Sequence, residues 1–242
     1  MSEFDPLAEN YDTPQQMETA KIIAEAIRDS VSTAKEGVAI DYGCGTGLVG
    51  LALLDVFKSI LFVDSSINML EITKKKIEAL GADNADTLFA DFSVEIPDGI
   101  AVDYIFMSRV LHHVIDYEPF LASLYELLNE GGHLIVVDFD EIEPEEEADS
   151  PESSDLDQQR REDGVDDDGR HRHNHGGSSG EAHSHSHGDG IFHDMHLGLD
   201  QEVLVGILNK LSFKNVESKT FHHGKKIFRN RDASLFILHG IK

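Results

Sequence analysis

Residues Val38 to Gly47 read VAIDYGCGTG, an apolar stretch that runs into a glycine-rich loop. The apolar stretch predicts a buried strand. Gly43, Gly45 and Gly47 predict a tight loop that a ligand can approach closely, because glycine has no Cβ atom and tolerates a positive φ. In an open α/β sheet, ligands bind at the carboxyl ends of the strands, where such a loop lies. This stretch therefore predicts the first strand and the ligand-binding loop of an α/β fold.

Strands and helices are predicted to alternate on both sides of this loop. Helical spacing of apolar residues, or apolar content where the spacing is weaker, predicts helices at residues 14–31, 48–57, 66–80, 117–128 and 199–211. We expect Gly131 and Gly132 to end the fourth of these helices. Further strands are predicted at residues 59–63, 87–90, 102–107, 133–139, 216–221 and 233–238. Such alternation indicates a parallel, doubly wound sheet.

One segment has a different composition. Residues 144–189 carry 14 acidic residues and four arginines, with few aliphatic side chains. Such a segment buries too little apolar area to offset its ordering entropy. We therefore predict a disordered, acidic, His-rich insertion at residues 141–190, within a domain formed by residues 1–140 and 191–242.

Histidines recur in this insertion with His-x-His spacing. They are candidate ligands for adventitious Zn²⁺ or Ni²⁺, although the spacing lacks the fixed geometry of a structural zinc site. A solvated low-complexity linker is the favoured interpretation. The weak candidate ligands are His171, His173, His175, His183, His185 and His187.

The charge and the apolar content exclude several classes of protein. The net charge of −26 argues against binding to a nucleic-acid backbone. No apolar run approaches the roughly 20 residues that span a bilayer. The N-terminal residues lack the features of a secretory signal, and Cys44 is the only cysteine. We expect no membrane span and a cytoplasmic location, with the nucleus as the alternative. The sequence does not indicate an oligomeric state.

Two classes of cofactor fit the glycine loop. Gly45, Gly47 and Gly50 satisfy the G-x-G-x-x-G pattern of dinucleotide binding, and Asp64 follows Gly45 by 19 residues, as a ribose-binding acid should. Asp41 lies within the apolar strand, where a buried acid needs a hydrogen-bond donor or an opposite charge. We expect it to hold the loop or to lie near a cationic group, whereas it would repel a pyrophosphate. A cationic nucleoside cofactor is favoured, with NAD as the alternative.

The order of motifs resembles that of the class I S-adenosylmethionine-dependent methyltransferases, in the group that includes ubiquinone and menaquinone biosynthesis enzymes. The segment FDPLAENYD is similar to the N-terminal lid of that family, and DYGCGTG is similar to its first cofactor motif. The other matching segments are VDSSINML at 63–70, ADF at 90–92, DYIFMSRVLHHV at 103–114 and LLNEGGHLIVVDFD at 127–140. The resemblance implies an α/β fold: a Rossmann-like, doubly wound, mostly parallel seven-stranded sheet with an antiparallel C-terminal strand, in a single domain.

The resemblance also implies a cofactor and a set of residues that bind it. The cofactor is S-adenosylmethionine, and the reaction is an in-line transfer of its methyl group to an unidentified small-molecule or protein acceptor. Asp91 would face the adenine amine, with Phe92 beside the ring, and Tyr11 would reach over the pocket. The predicted cofactor-binding residues are Tyr11, Asp41, Gly43, Gly45, Asp64, Ser65, Asp91, Phe92 and Ser108.

The histidines outside the insertion leave the catalytic step open. His112 and His113 follow the fourth strand and are candidate general bases, because an imidazole titrates near neutral pH. Packing and hydrogen bonding within a loop are the alternative roles. The segment FHDMHLGLD at 192–200 resembles a family segment that borders the acceptor site, but it has Leu199 where phenylalanine is usual. A non-catalytic protein that binds cofactor or metal remains the alternative function.

Overall fold

The computed structural model describes residues 5–31, 36–140, 198–228 and 230–242. The predicted insertion at 141–190, with all six candidate metal-binding histidines, lies outside these residues. The described helices are α1 (Pro14–Ser30), α2 (Leu48–Leu51), α3 (Ile67–Leu80), α4 (Tyr117–Leu127) and α5 (Gln201–Lys210). The strands are β1 (Val38–Tyr42), β2 (Ser59–Asp64), β3 (Ala85–Phe89), β4 (Val102–Ser108), β5 (Leu128–Phe139), β6 (Lys214–Phe228) and β7 (Arg231–Ile241). Short 3-10 helices cover Asp5–Asn10 and Leu111–His113.

The seven strands form one sheet in the order β3-β2-β1-β4-β5-β7-β6. Strands β1 to β5 pair in parallel, and β7 pairs antiparallel with both β5 and β6. The predicted fold class is thus confirmed, including the antiparallel C-terminal strand. The chain reverses its direction along the sheet between β1 and β4, and this is the place where such folds bind ligands.

Apolar side chains on the two faces of the sheet build two core clusters. Helices α1, α2 and α3 cover one face, where residues such as Ile23, Val49 and Ile77 meet Phe62 and Phe106 of the sheet. Helices α4 and α5 cover the other face, where residues such as Leu124 and Leu208 meet alternate strand residues. Both faces of the central strands are buried, which explains their continuous apolar sequences.

Local sequence signals account for the ends of the helices. The Thr13 side chain accepts a hydrogen bond from the Gln16 N–H at 3.2 Å, and Pro14 begins α1. Ser66 caps α3 in the same way, and Gly81 ends that helix with φ of +62°. Side-chain caps at the start of a helix and a left-handed glycine at its end are the expected devices.

Two predicted features differ from the structure. The predicted helix at 48–57 stops at Leu51, because the following N–H groups bond to carbonyls three residues back, including Leu53 to Gly50 at 2.9 Å. Such spacing gives tight turns instead of an α-helix. Helix α4 ends at Leu127, before Gly131 and Gly132, and both glycines lie inside β5, near the point where the β4–β5 register shifts.

The tight packing behind the glycine loop gives a test of the fold. A Cβ atom on Gly50 would lie 2.4 Å from Asp41 Oδ2 and 2.5 Å from Phe62 Cε1. We expect Gly50→Ala to lower the free energy of unfolding by about 1–3 kcal/mol, as overpacking does. The matched variant Gly206→Ala, at an exposed position of α5, meets no atom within 4 Å and should raise it by up to about 1 kcal/mol. Urea denaturation measures both values, and equal effects would contradict this packing.

Candidate active site

A cavity of about 550 Å³ opens at the carboxyl ends of β1 to β4, within the size range of small-molecule sites. The predicted residues on its wall are Tyr11, Gly43, Gly45, Asp64, Ser65, Asp91, Phe92, Ser108 and His113. These residues come from five separate stretches of the chain. The parallel strands bring four of the stretches to the same edge of the sheet, and the N-terminal segment adds Tyr11. The predicted residues Asp41 and His112 do not line this cavity.

The glycine loop is fixed by hydrogen bonds to the end of β2. The N–H groups of Gly43 and Cys44 donate to the Val63 carbonyl at 2.8 and 3.1 Å. Gly43 and Gly45 have φ values of +66° and +54°. A Cβ atom on Gly43 would lie 2.4 Å from Val110 Cγ2, so the loop is held close to the segment after β4. The glycines are required by this backbone path and this close approach.

Asp64 joins the loop to the start of α3. Its Oδ2 accepts a hydrogen bond from the Gly45 N–H at 2.7 Å, and its Oδ1 accepts one from the Ser66 N–H at 2.8 Å. The side chain is buried but reaches the cavity wall. Since an ionised carboxylate has about four acceptor positions, it can also accept hydrogen bonds from a ligand. The sequence predicted only the ligand-binding role.

The loop is also held from the side of α3 and the N-terminal segment. Thr73 Oγ1 donates to the Gly45 carbonyl, and Lys76 Nζ donates to the Thr46 carbonyl, both at 2.8 Å. Lys76 also forms a salt bridge with Asp12, with 2.6 Å between Nζ and Oδ2. Asp12 follows Tyr11 in the chain, so this network also positions Tyr11 at the cavity.

Tyr42, which the sequence analysis missed, organises the part of the wall predicted to bind adenine. Its hydroxyl donates to Asp91 Oδ1 at 3.3 Å and accepts a hydrogen bond from the Phe92 N–H at 3.2 Å. Its ring stacks on Phe92, with 5.1 Å between ring centroids. Burial, together with the nearby Asp91 charge, raises the pKa of Tyr42 well above its ordinary value. Tyr42 therefore stays a neutral hydroxyl that can make both bonds.

Asp41 faces away from the cavity, toward Gly50 and Phe62. The Gly50 N–H donates to its carboxyl group, while its Oδ2 is buried without a hydrogen-bond partner. Burial, with a smaller contribution from the Asp64 charge, raises the pKa of Asp41 to about 8. Burial thus favours the uncharged form of Asp41, which weakens the reasoning that its charge would repel a pyrophosphate. Its hydrogen-bond donor is Gly50 in α2 and not an N–H group of the glycine loop itself, which the other expected role had named.

The two adjacent histidines occupy different positions. His112 is buried, and its Nδ1 lies 2.7 Å from Oδ1 of Asp138, which is fully buried. His113 lines the cavity, with 4.1 Å between the centroids of the two rings. His113 is therefore the candidate base that a bound molecule can reach. His112 is held in the layer behind it.

Other residues on the cavity wall were not predicted. The segment after β4 and the start of α4 contribute a cation, an acid and apolar surface. These residues are Arg109, Val110, Val114, Ile115, Asp116, Pro119, Phe120 and Ser123, and Met69 of α3 adds to them. Arg109, Val110, Val114 and Met69 lie in the matching segments at 63–70 and 103–114, but no role at the site was assigned to any of these wall residues. Among the described residues, no group of three or more His, Cys, Asp or Glu side chains is arranged to hold a metal ion.

Comparisons with known proteins agree with this geometry. Residues 40–134 match a family model described as a methyltransferase domain. An uncharacterised methyltransferase of Schizosaccharomyces pombe is 28% identical over 112 residues, which cover 43% of this chain and 39% of that protein. One from Bacillus mycoides is 28% identical over 143 residues, which cover 56% of this chain and 65% of that protein. The matches thus span less than two thirds of each relative.

Solved structures share the fold at low sequence identity. A SAM-dependent methyltransferase from Aquifex aeolicus is 16% identical with a TM-score of 0.62, and the match covers 98% of this chain and 97% of that one. Phosphoethanolamine N-methyltransferase 2 from Haemonchus contortus is 14% identical with a TM-score of 0.61, over 90% of this chain and 52% of that one. The family model and the relatives support the predicted resemblance to the class I S-adenosylmethionine-dependent methyltransferases, and the solved structures share their fold. No described helix is both long and apolar enough to cross a membrane.

The pKa of Asp41 predicts how stability changes with pH. An unfolded aspartate has a pKa of about 3.9, so between about pH 4 and pH 8 the folded protein keeps a proton that the unfolded chain has lost. The contribution of Asp41 to the free energy of unfolding therefore falls as the pH rises through this window. The asparagine side chain of Asp41→Asn does not titrate, so this variant should lack the contribution of Asp41 to the slope of the free energy of unfolding against pH. Urea denaturation at pH 5, 6.5 and 8 measures it, and parallel profiles for the two proteins would contradict the prediction.

Proposed function

We propose that this chain transfers the methyl group of S-adenosylmethionine to a small-molecule or protein acceptor. The observation that carries the proposal is the Asp64–Gly45 hydrogen bond at the cavity wall, which combines a glycine loop with an acid beside a nucleoside-sized site. The family match supports the same cofactor. The cytoplasmic location and the absence of a nucleic-acid partner stay predictions.

The wall residues fit the chemical groups of this cofactor. Asp64 offers carboxylate oxygens to ribose hydroxyls, and the stacked pair of Tyr42 and Phe92 offers an aromatic surface beside Asp91. The absence of a side chain at Gly45 leaves space below Tyr11, whose Cε1 would lie 4.0 Å from a Cβ atom there. When bound, the cofactor supplies an activated methyl group on a sulfonium. The chain itself aligns the reactants and excludes water.

His113 is the group most suited to take a proton from the acceptor. It lies on the wall with the segment after β4, whereas His112 is bound to Asp138 behind it. A general base is needed only where the acceptor atom loses a proton during transfer. Nothing in the described residues favours the non-catalytic alternative over the enzymatic one.

The cofactor assignment is tested by calorimetric titration with S-adenosylmethionine and S-adenosylhomocysteine. We expect both to bind, and Asp64→Asn to weaken binding at least tenfold, about 1.4 kcal/mol, because an amide cannot accept hydrogen bonds at both of its polar atoms. Asp83→Asn removes an exposed acid outside the cavity wall and serves as the matched control. Failure of the wild-type protein to bind either compound would refute the proposal. Release of S-adenosylhomocysteine in a screen of acceptors then tests turnover.

Substitution of His113 should lower turnover, whereas substitution of His112 should lower stability. His113→Ala should lower turnover by about 100-fold or more if it is the base, with the free energy of unfolding little changed. His112→Ala should instead lower the free energy of unfolding by about 3 kcal/mol, because buried Asp138 loses its ring partner. Rates of S-adenosylhomocysteine release and urea denaturation measure these effects. Wild-type turnover in His113→Ala would exclude it as a base.

A further inference from the structure

Arg109 is a cation held on the cavity wall by an uncommon backbone conformation. It follows β4 with φ of +58°, in the left-handed region that side chains other than glycine rarely adopt. Its N–H donates to the Val137 carbonyl at 2.7 Å, which fixes this conformation. Strained backbone of this kind persists where the surrounding structure determines it, and it is enriched at functional sites. The position thus directs a guanidinium group to the cavity.

This guanidinium group forms no salt bridge within the described part of the chain, although Asp116 lines the same cavity. Its Nη1 donates to Gln16 Oε1 of α1, a neutral amide. Its Nε is buried without a hydrogen-bond partner, and no described carboxylate forms a salt bridge with it. A partly buried cation without an acidic partner is costly. An anionic group in the cavity would supply both a countercharge and a hydrogen-bond acceptor.

The rest of the cavity wall indicates where such an anion belongs. Asp64, Asp91 and Phe92 form the part of the wall that fits a nucleoside. Arg109 and His113 belong to the segment after β4, and Asp116 at the start of α4 is the one described acid on that side. The proposed cofactor carries a net positive charge, so a second cation in the same cavity does not favour it. A negatively charged acceptor would be attracted by the bound cofactor and by the Arg109 guanidinium group.

We propose that Arg109 binds the anionic group of the methyl acceptor, and that the acceptor is a small molecule with a carboxylate or phosphate group. The assignment of the anion to the methyl acceptor rests on the proposed function, whereas the existence of an anion site does not. Arginine suits both groups because its planar donors match their oxygen atoms.

The anion site is tested with malonate and inorganic phosphate as probes and with malonamide as the neutral comparison. Thermal unfolding is measured on the full chain, alone and saturated with S-adenosylhomocysteine. We expect at least one anion, but not malonamide, to raise the Tm of the wild-type protein. In Arg109→Asn the anion concentration for the half-maximal shift should rise at least tenfold. Asparagine tolerates a positive φ, so the variant should fold. Arg109→Lys should recover part of the shift, and the exposed control Lys219→Asn should keep all of it.

The affinity for S-adenosylhomocysteine tests whether Arg109 binds the anionic group of the acceptor or the carboxylate of the cofactor. We expect Arg109→Asn to change this affinity less than threefold, because the proposal assigns the guanidinium group to the anion of the acceptor and not to the cofactor carboxylate. A tenfold loss would assign Arg109 to that carboxylate and overturn its role in acceptor binding. Equal anion shifts in the wild type and Arg109→Asn, or no shift in either, would overturn the anion site. Arg109-dependent anion binding in a protein that does not bind S-adenosylhomocysteine would refute the acceptor role and the proposed function, but not the site.

Discussion

The hydrogen bonds that Asp64 accepts from Gly45 and Ser66 are the interaction on which the site depends. They join the end of β2, the loop after β1 and the first turn of α3 at one carboxylate. Hydrogen bonds to an ionised acceptor contribute roughly 1.5–3 kcal/mol each, so the loop is held by more than its own turn preference. The same carboxylate lies on the cavity wall. One side chain thereby links the folding of the loop to the binding of a ligand.

Buried polar groups hold the wall residues in place. Tyr42 holds the Asp91–Phe92 segment through its hydroxyl group, and Asp138 holds His112 behind His113. Each pair links residues that lie 26 to 50 positions apart in the sequence. Such bonds restrict the rotamers of the wall residues before a ligand arrives. A preorganised wall is what a reaction limited by alignment needs, since the ordering cost is met during folding.

The sequence was sufficient for the fold class and for the cavity residues that are proposed to bind the nucleoside, but not for the other half of the cavity. Strand periodicity and the glycine loop predicted the sheet, and ordered motifs predicted Asp64, Asp91 and Phe92. Arg109 escaped prediction because its position depends on a left-handed backbone and on Gln16 from a distant helix. The short length of α2 escaped it too, because apolar periodicity does not distinguish successive tight turns from an α-helix.

The alternation of side chains along β1 explains why Asp41 and Tyr42 have opposite roles. Successive strand residues point to opposite faces of a sheet. Ile40 and Tyr42 belong to the cluster beneath α4 and α5, whereas Ala39 belongs to the cluster on the other face. Asp41 shares the face of Ala39, so it contacts Gly50 of α2 while Tyr42 reaches the cavity. If the alternation of side chains had been applied to each residue of β1, and not only the presence of an acid in the motif, it would have assigned Tyr42 to the wall.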